Sequence, residues 1–136
     1  MSKERPSTYC YPAVLTFEEG YEIAVTFPDL PGCTTCGKTE ADALAQAVEA
    51  LGGHLWAMEE NNEEIPAPSS LQSVAHDENE SVILVSVYMP AVRLAEVNRS
   101  VSRTVTLPAW MNAAAQARKI NFSQVLQEAL RARLAD

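Results

Sequence analysis

Residues 102–136 cannot complete a fold alone. Ser102-Arg103-Thr104-Val105-Thr106-Leu107-Pro108 alternates polar and apolar residues and stops at a proline, the pattern of one short strand. Two helical stretches follow, parted by Lys119-Ile120-Asn121. A lone strand leaves its backbone donors and acceptors without partners. So small a piece also buries too little apolar surface to be stable by itself. The same strand of a second chain resolves both problems, giving a two-stranded ribbon over four helices. A ribbon of that width fits a DNA major groove.

Strand parity sorts the ribbon residues. Val105 and Leu107 face the helices, whose apolar residues (Trp110, Ala114 and Ala117, then Phe122, Val125, Leu126, Ala129 and Leu130) need a second copy to cover them. Ser102, Thr104 and Thr106 share the outer face, where small hydroxyl side chains can approach base edges. Arg103 falls on the apolar parity, but its stem can pack while the guanidinium reaches a phosphate. Asn121 is placed to cap the second helix, leaving the N–H groups of Phe122 and Ser123 as an anion site. Taken singly, these are also the marks of a solvated strand face and an ordinary cap. Their conjunction points to DNA.

Charge divides the chain in the same place. Residues 1–90 hold Lys3, Arg5 and Lys38 against fifteen carboxylates, a balance of −12. Residues 91–136 hold seven basic residues, Arg93 and Arg99 among them, against Glu96, Glu128 and Asp136, a balance of +4. The overall pI near 4.7 would argue against nucleic acid, but it averages two halves of opposite sign. The basic half can approach phosphate, and the acidic half suits a basic partner.

The first half reads as β-β-β-α-β, an α+β sheet with a helix on one side. Tyr9 to Phe17 is a strand; Glu18-Glu19-Gly20 is a turn with glycine where φ must be positive; Tyr21, Ile23, Val25 and Phe27 alternate with more polar or smaller residues in a second strand. Pro28 to Gly32 breaks it, and Cys33 to Cys36 forms a short third. Thr39 is a helix N-cap with Asp42 three residues on. Leu44, Val48, Leu51, Leu55 and Met58 then mark the apolar face. Gly52-Gly53 inside the helix predicts a kink or a close packing contact. Glu59 to Glu64 reads as a solvated end, stopped by Pro66 and Pro68. Residues 66–80 are a loop, Ser81 to Met89 a strand covered on both faces, and Pro90 to Ser100 a connection. The start, Met1 to Ser7, has no apolar run, so a cytoplasmic protein without a leader is expected.

Both halves carry family marks. Thr104-Val105-Thr106-Leu107-Pro108 and the spacing to Asn121-Phe122-Ser123 resemble the ribbon-helix-helix repressors. Phe27-Pro28-Asp29-Leu30-Pro31-Gly32-Cys33, Gly37-Lys38-Thr39-Glu40-Ala41-Asp42-Ala43-Leu44 and Ile65-Pro66-Ala67-Pro68-Ser69 resemble the HicB antitoxins. The resemblance implies residues 1–92 as a partial ribonuclease-H-like sheet that blocks a HicA-like ribonuclease toxin. It implies residues 99–136 as a ribbon-helix-helix module that represses the shared operon. The DNA-contacting set is then Ser102, Arg103, Thr104, Thr106, Asn121, Phe122 and Ser123. The partners are the toxin, operator DNA and a second copy, with pairing of dimers into tetramers left open. Two residues depart from the family: it usually has a basic residue where Ser102 stands and an apolar one where Arg103 stands.

No clustered inward-facing carboxylates suggest catalytic magnesium, so no catalytic residue, cofactor or metal is expected. The rival readings are a solitary ribbon-helix-helix regulator with a ligand- or protein-sensing first half, and a redox or metal protein built on Cys33-x-x-Cys36. A single C-x-x-C is weak: zinc needs two more ligands, and only Cys10, His54 and His76 remain. His54 reads as a core or rim histidine, and Trp56 and Trp110 as core or interface anchors.

Overall fold

Period-two patterning near the start of the chain builds a four-stranded antiparallel sheet. Its strands are β1 (Thr8–Thr16), β2 (Ile23–Thr26), β3 (Thr34–Gly37) and β4 (Glu80–Tyr88), in spatial order β3-β2-β1-β4. This computed structural model describes residues 5–135; Met1 to Glu4, on which the leaderless reading partly rests, and Asp136 lie outside the described residues. The β1–β2 turn forms as expected. Gly20 has φ 85°, and the Tyr21 N–H donates to the Glu18 carbonyl at 3.1 Å. Pro12 sits in mid-strand without breaking the ladder, because β2 pairs only with Val14 to Thr16 and has ended before reaching it.

Helix α1 (Glu40–Glu60) covers one face of the sheet. Thr39 caps it, accepting from the Asp42 N–H at 3.1 Å, while Asp42 reaches back to the Lys38 N–H at 2.9 Å. The buried face runs Ala43, Ala47, Leu51, Leu55, and Leu44 is exposed, so the predicted stripe is displaced at its first turns. Close approach explains this. A Cβ on Gly37 would lie 2.3 Å from the Ala43 nitrogen, so the end of β3 and the helix touch backbone to backbone, and only small residues fit between. Gly52 serves the same purpose further along: a Cβ there would lie 2.9 Å from Val92 Cγ2 and 3.2 Å from Val87 Cγ2, whereas one on Gly53 would meet open space.

Helix α1 ends before the prolines predicted to stop it. Asn62 adopts φ 54°; its N–H donates to the Glu59 carbonyl at 3.2 Å and the Glu63 N–H to the Met58 carbonyl at 2.9 Å. Residues 66–80 form the expected loop, apart from a short 3-10 turn at Leu71–Ser73. The expected connection after β4 is instead a helix, α2 (Met89–Asn98). Pro90 invited the misreading, but proline fits the first turn of a helix, where its missing N–H costs nothing.

The chain divides into two compact units, Met1–Arg99 and Ser100–Asp136. The second holds α3 (Ala109–Ala117) and α4 (Phe122–Leu134). Between them Lys119 takes φ 55°, and the N–H groups of Lys119 and Ile120 donate to the carbonyls of Gln116 and Ala115. Residues 99–108 form no strand in the single chain. A strand is defined by its ladder, and this segment pairs with no other strand in the single chain. Among the described residues the architecture is mixed α+β, a four-stranded antiparallel sheet with four α-helices.

Candidate functional site

In the second unit the predicted residues fall into two groups. Ser102, Arg103, Thr104 and Thr106 lie together in the irregular segment ahead of α3, all exposed. Asn121, Phe122 and Ser123 lie at the start of α4, where the Asn121 side chain accepts from the Gln124 N–H at 3.1 Å. That cap satisfies the third N–H of the helix; those of Phe122 and Ser123 belong to the first turn, which has no internal acceptors. Basic Arg131 and Arg133 occupy the last turn, favourable to the helix dipole. The apolar faces stand open: Trp110 is 70% exposed, and Val105, Phe122, Val125, Leu126 and Leu130 are all exposed.

In the first unit the family-like turn is a structural device. The Phe27 N–H donates to the Cys33 carbonyl, and the Cys33 N–H donates to the Leu30 carbonyl around Gly32 at φ 88°. Phe27, Leu30 and Cys33 are buried, so the turn plugs one end of the core. Asp29 accepts from the Ser69 N–H at 2.8 Å and its hydroxyl at 2.5 Å, and the Tyr11 hydroxyl donates to the Pro66 carbonyl. These bonds tie the 66–70 segment, the other family-like stretch, to the turn.

The two cysteines of the C-x-x-C do not converge. Cys33 is buried with its thiol on the Ala50 carbonyl, and burial pushes that thiol up to about 11. Cys36 is exposed, and its thiol donates to Glu22 Oε2 at 3.0 Å; that bond and the Glu22 charge raise its pKa. Three residues apart along an extended segment, they point to opposite sides. His54 is half-buried, on a shallow pocket with Pro31, Met58 and Pro66.

The solvated helix end was misread at its first residue. Glu59 is buried, its carboxylate receiving Arg93 Nε at 3.0 Å, Arg93 Nη2 at 2.7 Å and the Tyr9 hydroxyl at 3.0 Å. Arg93 also donates to the Pro6 carbonyl at 2.8 Å, and Arg5 pairs with Glu60 at 3.4 Å. Arg93, counted with the basic half, is therefore spent inside the first unit. The sequence signal of the pair was weak: one acid among four between Glu59 and Glu64, and an arginine in a stretch not recognised as helix.

The strand β4 also departs from expectation. Its Val85 and Val87 are in the core, but Leu84 and Tyr88 on the other parity are 55% and 62% exposed. The apolar residues at both parities were legible, but a strand covered on both faces was the wrong inference from them.

A family model of the HicB-like antitoxins of bacterial toxin-antitoxin systems matches residues 11–130, across both units. The chain belongs to the HicB-like antitoxin family. Solved structures agree. The toxin-antitoxin complex from Streptococcus pneumoniae contains a chain 26% identical, with TM-score 0.60, covering 93% of this chain and 99% of that one. The antitoxin HicB of Burkholderia pseudomallei is 26% identical with TM-score 0.52, covering 90% and 96%. A chain of the HicA3 and HicB3 toxin-antitoxin complex is 25% identical with TM-score 0.50, covering 58% of this HicB-like chain and 98% of its own length. Among the described residues, no helix of the family member is long and apolar enough to cross a membrane.

Proposed function

We propose that residues 1–92 bind and inhibit a HicA-like, RNA-cleaving toxin. Residues 99–136 of two copies form a ribbon-helix-helix module that binds operator DNA and represses the shared operon. The protein acts in the cytoplasm without catalytic chemistry of its own, and the sheet of the first unit is a partial ribonuclease-H-like fold. The observation that carries this reading is the family match spanning residues 11–130, because it includes both the sheet and the two closing helices. Likeness to chains from toxin-antitoxin complexes supports a toxin partner.

Physical features of the second unit support its half of the reading. Its apolar helix faces are uncovered in one copy, and residues 99–108 lack a ladder partner. A second copy supplies both at once. In the resulting ribbon Ser102, Thr104 and Thr106 face the bases, Arg103 reaches a phosphate, and the Asn121-capped start of α4 presents Phe122 and Ser123 N–H groups to the backbone of the DNA.

The test is co-expression with the neighbouring gene product. The proposal expects a short basic protein that co-purifies with this chain and whose RNA cleavage stops in the complex. An abundant, folded antitoxin that leaves its neighbour free and active would overturn it.

A further inference from the structure

Strand β4 is the last strand on its side of the sheet, and its outer edge is bare. The Phe17 N–H donates to the Asn79 carbonyl at 2.9 Å, and the Met89 N–H to the Ser7 carbonyl at 2.8 Å. Between these two bonds β1 and β4 pair residue for residue, from Thr8 opposite Tyr88 to Thr16 opposite Glu80, without a bulge. The alternation of an antiparallel ladder then turns the backbone groups of Ser81, Ile83, Val85 and Val87 to β1. Those of Val82, Leu84 and Ser86 turn outward. Among the described residues no hydrogen bond reaches them there.

Sheet edges are usually guarded by a lysine, a proline, a bulge or a short strand. Strand β4 has none of these. It is nine residues long, its one charge is Glu80 at the first position, and Ser81 to Tyr88 carry neither charge nor proline. Leu84, at the middle of the run, is 55% exposed. A free edge of this composition is a template for another strand.

We propose that the same edge of a second copy fills it, β4 against β4, antiparallel about a two-fold axis at Leu84, so that two four-stranded sheets become one of eight. The strand suits itself as a partner. Leu84 then faces its own counterpart, Val82 faces Ser86, and Glu80 faces Tyr88. Every outward donor and acceptor of Val82, Leu84 and Ser86 is satisfied. The two Leu84 side chains cover one another on the sheet face turned away from α1. The two Glu80 carboxylates stand about 27 Å apart, eight residues at ~3.4 Å each, well beyond the ~10 Å screening length. A parallel arrangement would set them side by side. A basic partner finds no charge between residues 81 and 88, so electrostatics does not select one for this edge. The contact lies wholly in the first unit and does not depend on the ribbon proposed for residues 99–136.

The experiment is sedimentation equilibrium of the full-length chain alone, with circular dichroism to check folding. L84P removes the outward N–H at the axis and spares the β1 ladder, which does not use it. L84K sets two ammonium groups against each other. E49K, on the exposed side of α1, is the control. Each edge variant should reduce the mass of the wild-type assembly to half or less, whether or not the C-terminal units also pair, and E49K should leave it unchanged. A cysteine gives a second reading. Paired Cα atoms about 5.5 Å apart are within disulfide reach, so L84C should become a covalent dimer under mild oxidation at least tenfold faster than A45C, on the outer side of α1. If both edge variants unfold, this comparison decides. Folded edge variants of wild-type mass, or L84C that links no faster than A45C, overturn the proposal. Edge variants that keep their mass but lose a co-purifying basic protein would give the edge to that protein, and overturn it equally.

Discussion

Glu59 and Arg93 form a two-point ion pair, Nε to Oε1 at 3.0 Å and Nη2 to Oε2 at 2.7 Å, with the Glu59 side chain only 3% exposed. It joins the last turn of α1 to α2, and through Tyr9 and the Pro6 carbonyl it also holds the start of β1. Removing the arginine strands a buried carboxylate. R93A should therefore cost the first unit roughly 3 kcal/mol, read by chemical denaturation. Burial pushes the Glu59 carboxyl up, but hydrogen bonds from Arg93 and Tyr9 and the nearby cations outweigh it and hold it below its ordinary 4.5. A depressed folded pKa gives stability that is present above 4.5 and lost as pH falls through the folded value. Wild type should lose stability below that pH, and R93A should show a weaker dependence in the same range. A parallel acid slope in both proteins would refute the role given to the pair.

Tyr9 supplies the alkaline counterpart. Burial, then its hydrogen bond to Glu59 and the charge of that residue, push its hydroxyl from 10.0 up to about 12. A raised folded pKa gives stability that is present below 10.0 and lost as pH climbs to about 12. Y9F should cost about 1 kcal/mol at neutral pH and flatten the loss across this window. Melting curves at several alkaline pH values check it.

The glycines of α1 and its approach separate by what a methyl group would meet. G53A should stabilise by up to about 1 kcal/mol, since nothing lies within reach and helix propensity rises. G52A should destabilise by roughly 1–3 kcal/mol, because Val92 and Val87 must give way. G37A meets backbone at Ala43, which cannot yield, and should cost the most. Denaturation midpoints that fail to follow this order would contradict the packing described.

In the second unit, T104A/T106A should lower operator preference by about 1 kcal/mol, a small figure because hydroxyl contacts discriminate weakly. Dimerisation should be unchanged, since both side chains face outward in the proposed ribbon. R103A should instead weaken operator and random DNA alike and reduce the salt slope by about one. Gel shifts at several salt concentrations on both DNAs measure all three quantities.

What could be read from residue order was mostly local. Thr39 as a cap, Gly20 at a positive φ and the Tyr9–Phe17 strand each depend on a few neighbours, and the structure places them as expected. Leu44 was lost because Gly37 draws the sheet onto Ala43, a contact that helical spacing does not encode. Glu59 and α2 were lost together. Burying that acid makes sense only once Arg93, 34 residues away, lies on a helix beside it. The openness of Leu84 and Tyr88 was hidden for a related reason: an apolar run shows that a strand has two dry sides to cover, not what covers them. Ser102 to Thr106, expected as a strand, form none in the single chain, because a strand needs a partner that this copy does not supply.

The most direct measurement is a titration of toxin-catalysed RNA cleavage with the full-length chain. Cleavage by the neighbouring basic protein should fall in proportion to added antitoxin and vanish near equimolar sites. Cleavage that continues unchanged with folded antitoxin in excess would contradict the central claim.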